Sequence, residues 1–214
     1  MHVVKITPDE RKADKFTVKF ENDAELKVNA AAIADFGLYS GREMSEDEYE
    51  EVRQALELRF SKTRALRIAG SRNISSGEMQ RRLIKKGDSE QTARESVKWL
   101  EEMHIIDDGE YAKSIVRHYT SKGYGPAKVR DELYRRGIER ETLEEAMSLI
   151  ERDEEAVYAF IEKKLMGSYE KKELRKVTDS LYRRGFSYDD ARSAVNSYLE
   201  RAAEDRTGDF DEWE

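Results

Sequence analysis

Val129-Arg130-Asp131-Glu132-Leu133-Tyr134-Arg135-Arg136-Gly137 is the stretch that decides the fold, because the chain writes it three times. The earlier copy is Met79-Gln80-Arg81-Arg82-Leu83-Ile84-Lys85-Lys86-Gly87, and the later one is Val177-Thr178-Asp179-Ser180-Leu181-Tyr182-Arg183-Arg184-Gly185. The three glycines stand 50 and 48 residues apart. Eight residues before each glycine is an apolar side chain (Met79, Val129, Val177), and four before it is a leucine (Leu83, Leu133, Leu181). Apolar residues return six after it (Ala93, Leu143, Ala191), ten after (Val97, Met147, Val195) and thirteen after (Leu100, Ile150, Tyr198). These spacings describe a helix, a glycine stop, a short turn and a second amphipathic helix.

An apolar helix precedes each pair, at about Thr63–Ala69, Tyr111–Tyr119 and Val157–Leu165. The repeating unit is therefore three helices, and self-similarity at this period marks a stacked array. The second helix of each unit starts differently. Ser75-x-x-Glu78 is a capping box, Gly125-Pro126 puts proline where its missing N–H costs nothing, and the third start falls near Ser168.

Upstream the period is two. Val3–Thr7, Phe16–Phe20 and Leu26–Val28 read as short strands with turns at Pro8-Asp9 and Glu21-Asn22-Asp23. Ala30–Phe36 reads as a short helix ended by Gly37. From Ser45, a capping box with Glu48, the period is helical, with Tyr49, Val52, Leu56 and Phe60 on one face. The expected organisation is a β-rich segment 1–45, three-helix repeats at 46–104, 105–152 and 153–202, and an acidic disordered tail 203–214.

Of the 214 residues 40% are charged, which suits small modules in a row better than one thick core. With no cysteine, disulfides, zinc-thiolate sites and thiol nucleophiles are excluded, and a reducing compartment is expected. No apolar run approaches the ~20 residues of a membrane span, and Met1-His2-Val3-Val4-Lys5 lacks a signal peptide's apolar stretch. A cytoplasmic monomer is the expectation. The net charge of −7 is uneven: −1 over residues 1–45, −4 over 46–61, +6 over 62–137 and −8 over 138–214. A basic middle between acidic flanks suits a partner carrying both signs, such as a protein–nucleic-acid complex, and also suits ordinary salted helix surfaces.

The basic pairs Lys85-Lys86, Arg135-Arg136 and Arg183-Arg184 have two readings. Cations near a helix C-terminus gain ~0.3–1 kcal/mol each from the macrodipole. Stacked repeats would also present them as an evenly spaced basic stripe for phosphates or an acidic groove. Tyr134 and Tyr182, beside the pairs, fit either base stacking or half-buried packing. Asp107-Asp108-x-Glu110 lacks a third ligand and reads as an N-cap with its capping-box partner. The histidines, His2, His104 and His118, are scattered, and neither a Walker loop nor a Gly-x-Gly-x-x-Gly occurs. No catalytic site and no cofactor is expected.

Taken together these residues resemble the RecX family over about 62–200. The resemblance rests on Ile106-Asp107-Asp108-Gly109-Glu110-Tyr111-Ala112 after the first repeat, Lys122-Gly123-Tyr124-Gly125-Pro126 and Leu133-Tyr134-Arg135-Arg136-Gly137 in the second, and Leu181-Tyr182-Arg183-Arg184-Gly185-Phe186 in the third. It implies three tandem three-helix repeats forming an elongated curved rod. It also implies a regulator that binds the RecA–single-stranded-DNA filament and suppresses its ATPase, strand-exchange and co-protease activities. The acidic balance outside the middle block departs from the basic members and implies weak binding to free DNA. The expected contact residues are Arg81, Arg82, Lys85, Lys86, Arg117, Lys122, Lys128, Arg130, Tyr134, Arg135, Arg136, Tyr182, Arg183 and Arg184. The competing reading is a helix-turn-helix-like nucleic-acid-binding protein that acts without RecA.

Overall fold

The computed structural model describes residues 1–10 and 12–208. The fold is mainly α, three-helix repeats following a small N-terminal sheet. The chain divides into two compact units: Met1–Arg72 with Met79–Ile105, and Asn73–Glu78 with the chain from Ile106 onward.

In the first unit, β1 (Val3–Asp9), β2 (Lys12–Phe20) and β3 (Glu25–Val28) form an antiparallel sheet in the order β1-β2-β3. Val3 pairs with Phe20 and Phe16 with Val28, so alternate residues of each strand share one face. A short helix α1 (Ala30–Asp35) is capped by the Asn29 side chain, which accepts from the Ala32 amide. Next comes α2 (Glu46–Ala69), whose 24 residues merge the sequence's helix at Ser45 with the lead-in helix at Thr63–Ala69. No glycine or proline interrupts it, so nothing stops the helix where the two patterns meet. Its first half buries Val52 and Leu56 with Val3, Val18, Phe20 and Val28, and Phe20 meets Tyr49 edge-on at 4.9 Å. The N-terminal sheet thus has its core completed by the helix that begins the first repeat.

The second half of α2 serves that repeat. Ser61 is buried and accepts a 2.8 Å hydrogen bond from Ser96. Ser96 lies on α4 (Glu90–Glu102), which follows α3 (Ser76–Lys85) across Gly87. At Ser45 the hydroxyl accepts from the Glu48 amide as the capping box requires, but the Glu48 carboxylate pairs with Arg42 instead of reaching back.

The second unit holds α5 (Asp108–Thr120), α6 (Pro126–Arg135) and α7 (Arg140–Ser148), then α8 (Glu154–Leu165), α9 (Lys171–Arg183) and α10 (Tyr188–Gly208). Each triplet encloses its own core: Ile115, Val116, Val129, Leu133 and Leu143 in one, Val157, Ile161, Val177, Leu181 and Val195 in the other. The repeated leucines Leu83, Leu133 and Leu181 are 0% exposed, so truncating any to alanine costs about 2–5 kcal/mol. Gly87, Gly137 and Gly185 take φ of 98°, 76° and 93°, the left-handed stop that L side chains resist.

Several boundaries differ from the sequence expectation. The turn expected at Pro8-Asp9 lies within β1, where Pro8 pairs with Phe16 and Asp9 with Lys12, so β2 begins at Lys12 ahead of the expected Phe16. The helix expected to start near Ser168 begins at Lys171, because Met166 (φ 48°) and Gly167 (φ 81°) form a left-handed turn that delays it. And α10 continues to Gly208, past residue 202. The rest of the expected acidic tail, 209–214, lies outside the described residues.

Candidate partner-binding surface

The expected contact residues lie on α3, α5, α6 and α9 or within two residues of their C-terminal ends, and the structure sorts those of α3, α6 and α9 by position relative to the stop glycine. Three residues before it the side chain faces solvent in every copy: Ile84, Tyr134 (78% exposed) and Tyr182 (59%). A tyrosine ring this open is not packing against the repeat, so the half-buried reading does not hold at these positions. Two residues before the glycine, Lys85, Arg135 and Arg183 are exposed as well.

One residue before the glycine the arrangement changes. Lys86 is exposed, but Arg136 and Arg184 are half-buried and held. The Arg184 guanidinium lies 4.3 Å from the Tyr124 ring centre and 4.0 Å from that of Phe160. It donates to the carbonyls of Lys122 (2.7 Å) and Gly123 (3.2 Å). Arg136 donates to the Tyr111 hydroxyl, sits over the Tyr111 ring, and has Nε 3.8 Å from Glu132. Both arginines join parts of the second unit to each other.

The reason is a joint that the sequence did not disclose. The first turn of α6 sits on the last turn of α9. Gly125 donates its amide to the Arg184 carbonyl (2.9 Å), and Ala127 donates to the Gly185 carbonyl (3.0 Å). Helix starts have spare N–H groups and helix ends have spare carbonyls, so each end satisfies the other. The approach is so close that a Cβ on Gly125 would overlap the Gly185 backbone, and one on Gly185 would overlap that of Lys128. The segment opening α3 repeats the arrangement on the end of α6. The Ser75 hydroxyl donates to the Arg136 carbonyl, and a Cβ on Gly77 would overlap the Gly137 carbonyl. Here Asp108 supplies a further clamp, accepting from the Ser76 amide (2.8 Å) and hydroxyl (2.6 Å). So Asp107 caps its own helix, accepting from Glu110 N, while its neighbour Asp108 caps α3.

The other expected cations vary in freedom. Glu132 is buried beneath Lys128 (3.3 Å), Arg135 and Arg136. Burial pushes its carboxyl up, but the hydrogen bonds and charges of Arg135 and Lys128 outweigh that and hold it below the usual range. Lys128 and Arg135 are thereby oriented. Arg130 is committed to a bidentate pair with Glu144 on α7. Lys122 Nζ lies 3.0 Å from His118 Nε2 beside exposed Arg117. In the first unit Arg81, Lys85 and Lys86 are exposed and Arg82 is half-buried. The solvent-exposed basic and aromatic groups among the expected contacts are therefore Arg81, Lys85, Lys86, Arg117, Lys122, Arg130, Tyr134, Arg135, Tyr182 and Arg183, of which Arg130 is paired with Glu144 and Arg135 with Glu132.

No cluster of three or more His, Asp and Glu side chains is placed to hold a metal among the described residues. Among them, too, no helix is long and apolar enough to cross a membrane.

Comparison with known proteins agrees on one family. Residues 107–147 match the sequence model for the RecX second three-helix domain, and 151–195 match that for the third. The regulatory protein RecX of Caldanaerobacter subterraneus subsp. tengcongensis is 25% identical over 188 residues, covering 86% of this chain and 94% of that protein. That of Streptococcus pneumoniae (strain Hungary19A-6) is 28% identical over 210 residues, covering 95% and 81%. A crystal structure of a regulatory protein RecX superposes with a TM-score of 0.63 at 20% identity, covering 93% of this chain and 98% of that one. RecX from Lactobacillus salivarius gives 0.57 at 22%, covering 69% and 97%. At those identities the superpositions establish the fold.

Proposed function

The chain belongs to the RecX family, and from that premise we propose that it is a cytoplasmic, non-catalytic regulator that binds the RecA–single-stranded-DNA filament and inhibits its recombinase, ATPase and co-protease activities. Its relatives carry the name regulatory protein.

The observation that carries the reading is the recurrence of an exposed aromatic–cation step, Tyr134-Arg135 and Tyr182-Arg183, at the same place in two successive repeats. A tyrosine face stacks on a base of any sequence, worth about 1–3 kcal/mol, while the neighbouring guanidinium takes a phosphate. Contacts of that kind, one per repeat, are individually weak and add through their linkage. They suit a nucleic acid already extended by a protein polymer, with acidic residues elsewhere on the chain limiting affinity for free DNA.

The charge of the third helices disfavours the helix-turn-helix alternative. In that motif the helix after the turn enters the major groove. Here α7 exposes Glu141, Glu144 and Glu145, and α10 opens with Asp189 and Asp190. A groove lined with phosphates repels such a face.

RecA ATPase on single-stranded DNA, with the protein titrated in, tests the proposal. The wild type should inhibit. The double substitution Arg135→Gln and Arg183→Glu, which leaves the joint arginines intact and sets no like charge beside buried Glu132, should raise the half-inhibitory concentration at least about tenfold, the effect of losing two phosphate contacts. A folded double variant with unchanged inhibition would remove the Tyr–Arg steps from the mechanism. Wild-type protein with no effect on the filament would remove the function.

A further inference from the structure

The joints run in one direction, and one place in the series is unfilled. The end of α9 receives the start of α6, and the end of α6 receives the segment opening α3. The end of α3 itself, at Lys86 and Gly87, receives nothing. Among the described residues no hydrogen bond reaches either carbonyl, and a Cβ built on Gly87 would meet no atom within 4 Å. Gly87 nonetheless keeps the backbone of the filled positions, φ 98° against 93° at Gly185. Beside it, between α2 and α4, opens a polar groove of about 560 Å³ walled by Arg53, Glu57, Arg64, Asp88 and Glu95.

We propose that the Lys86-Gly87 end of α3 is a docking socket for the first turn of a helix on a protein partner. The occupant's chemistry follows from the two filled joints. Both insert a start made of small residues, Ser75-Ser76-Gly77 and Gly125-Pro126-Ala127, and both place N–H or O–H donors on the helix-end carbonyls. A helix end carries partial negative charge, which attracts the partial positive charge of a helix start and repels phosphate. The socket is therefore a protein contact, separate in kind from the Tyr–Arg steps. A polar flank on its helix would also suit the groove, whose walls carry the ion pairs Arg53–Glu57 and Arg64–Asp88 together with Glu95. A second copy of this chain fits poorly. In its third repeat the start equivalent to those two, α9, begins Glu170-Lys171-Lys172, too bulky for the approach that Gly125 makes. On the function proposed above, the partner is a RecA subunit of the filament. Only that identity rests on the function; the socket's chemistry does not.

The discriminating variant is Gly87→Asn. Asparagine is among the L residues that best tolerate the left-handed backbone, and the side chain enters open space, so the free protein should fold with a thermal midpoint lowered only by the backbone strain at φ 98°. In a filled socket the same side chain would collide with the incoming turn, as a Cβ on Gly185 collides with Lys128. Two readouts separate the socket from the function. In the first, isotope-labelled full-length protein is titrated with a peptide copying residues 122–136, which holds the Gly125-Pro126-Ala127 start. The amides of Lys86 to Ser89 should shift saturably with a Kd of about 1 mM or tighter, and Gly87→Asn should abolish the shift. Absence of any saturable shift there overturns the socket, whatever RecA does. In the second, Gly87→Asn should weaken filament inhibition at least about tenfold, leaving binding to free single-stranded DNA unchanged. Equal inhibition by variant and wild type overturns the assignment of the socket to the filament. If wild-type protein leaves the filament untouched, that assignment falls with the function, and the peptide titration alone decides the socket.

Discussion

Replacing Arg184 with alanine should damage the protein far more than replacing Arg183, although the two are adjacent, identical and both basic. Arg184 donates two charged hydrogen bonds to backbone carbonyls, at 2.7 and 3.2 Å, and lies between two rings at 4.3 and 4.0 Å. A hydrogen bond from a charged donor contributes about 1.5–3 kcal/mol, and a cation–π contact about 0.5–2 kcal/mol. The side chain is only half-buried, so solvent screening puts each near the low end of its range. The loss on truncation should then be about 2–4 kcal/mol, or roughly 6–15 °C in the midpoint of the second unit. Arg183 is exposed and, among the described residues, donates to the Ser180 hydroxyl alone, so its truncation should fall within about 0.5 kcal/mol. Because the chain has two units, a single global transition is not the right observable. Native-state amide hydrogen exchange is, and the amides to follow are Gly125 and Ala127, whose acceptors are the carbonyls of Arg184 and Gly185. Arg184→Ala should lower their protection by about 30- to 1,000-fold, the range equivalent to those energies. Indistinguishable protection in Arg183→Ala and Arg184→Ala would refute the joint as the site where Arg184 acts.

Three further outcomes follow from the same geometry. Gly125→Ala forces a methyl against the Gly185 backbone, which cannot rotate away, and should cost several kcal/mol by calorimetry; Gly41→Ala, with no atom within 4 Å of the new methyl, should cost only its backbone strain at φ 94°, about 1–2 kcal/mol. Asp108→Ala removes the acceptor for the Ser76 amide and should lower stability by about 0.5–2 kcal/mol, visible as faster exchange of that amide, whereas Asp108→Asn should recover part of the loss. Glu132→Gln should destabilise by about 1–3 kcal/mol at neutral pH, since three cations lose their shared carboxylate. Its folded-state pKa is lowered from 4.5, so the carboxylate's contribution is present in full above that value. The gap between wild type and variant should hold from pH 7 down to about 5, then shrink as pH falls through the lowered folded-state pKa. A gap that widens on acidification would contradict the ion cluster.

Much of the architecture was legible in the chain. Local rules govern helix formation and termination: leucines four residues before a glycine define a buried stripe, and the glycine supplies a left-handed stop at trivial cost. Those rules need no knowledge of distant residues, so the triplets, the strands, the short helix α1 and the capping residues Ser45 and Asp107 could be placed. The merger of two patterns into α2 was less visible, because periodicity marks which residues face inward but not against what. Val52 faces the sheet and Ser61 faces α4, and only the folded chain distinguishes those neighbours.

The function of the basic pairs lay beyond any local rule. Arg135 and Arg136, or Arg183 and Arg184, are equivalent in composition and in their relation to a helix dipole. Consecutive helical residues diverge by about 100°, however, and the second of each pair sits at the helix end where another helix begins. Its surroundings come from residues some sixty positions away, such as Lys122 and Gly123 around Arg184, at sequence separations of 62 and 61. The amino-acid sequence by itself determined that this is a helical repeat array carrying cations at regular intervals. Tertiary structure alone decided which of those cations bind the array together and which remain turned outward, because a side chain's exposure depends on what is packed against it, and packing between distant segments leaves no periodic trace in the chain.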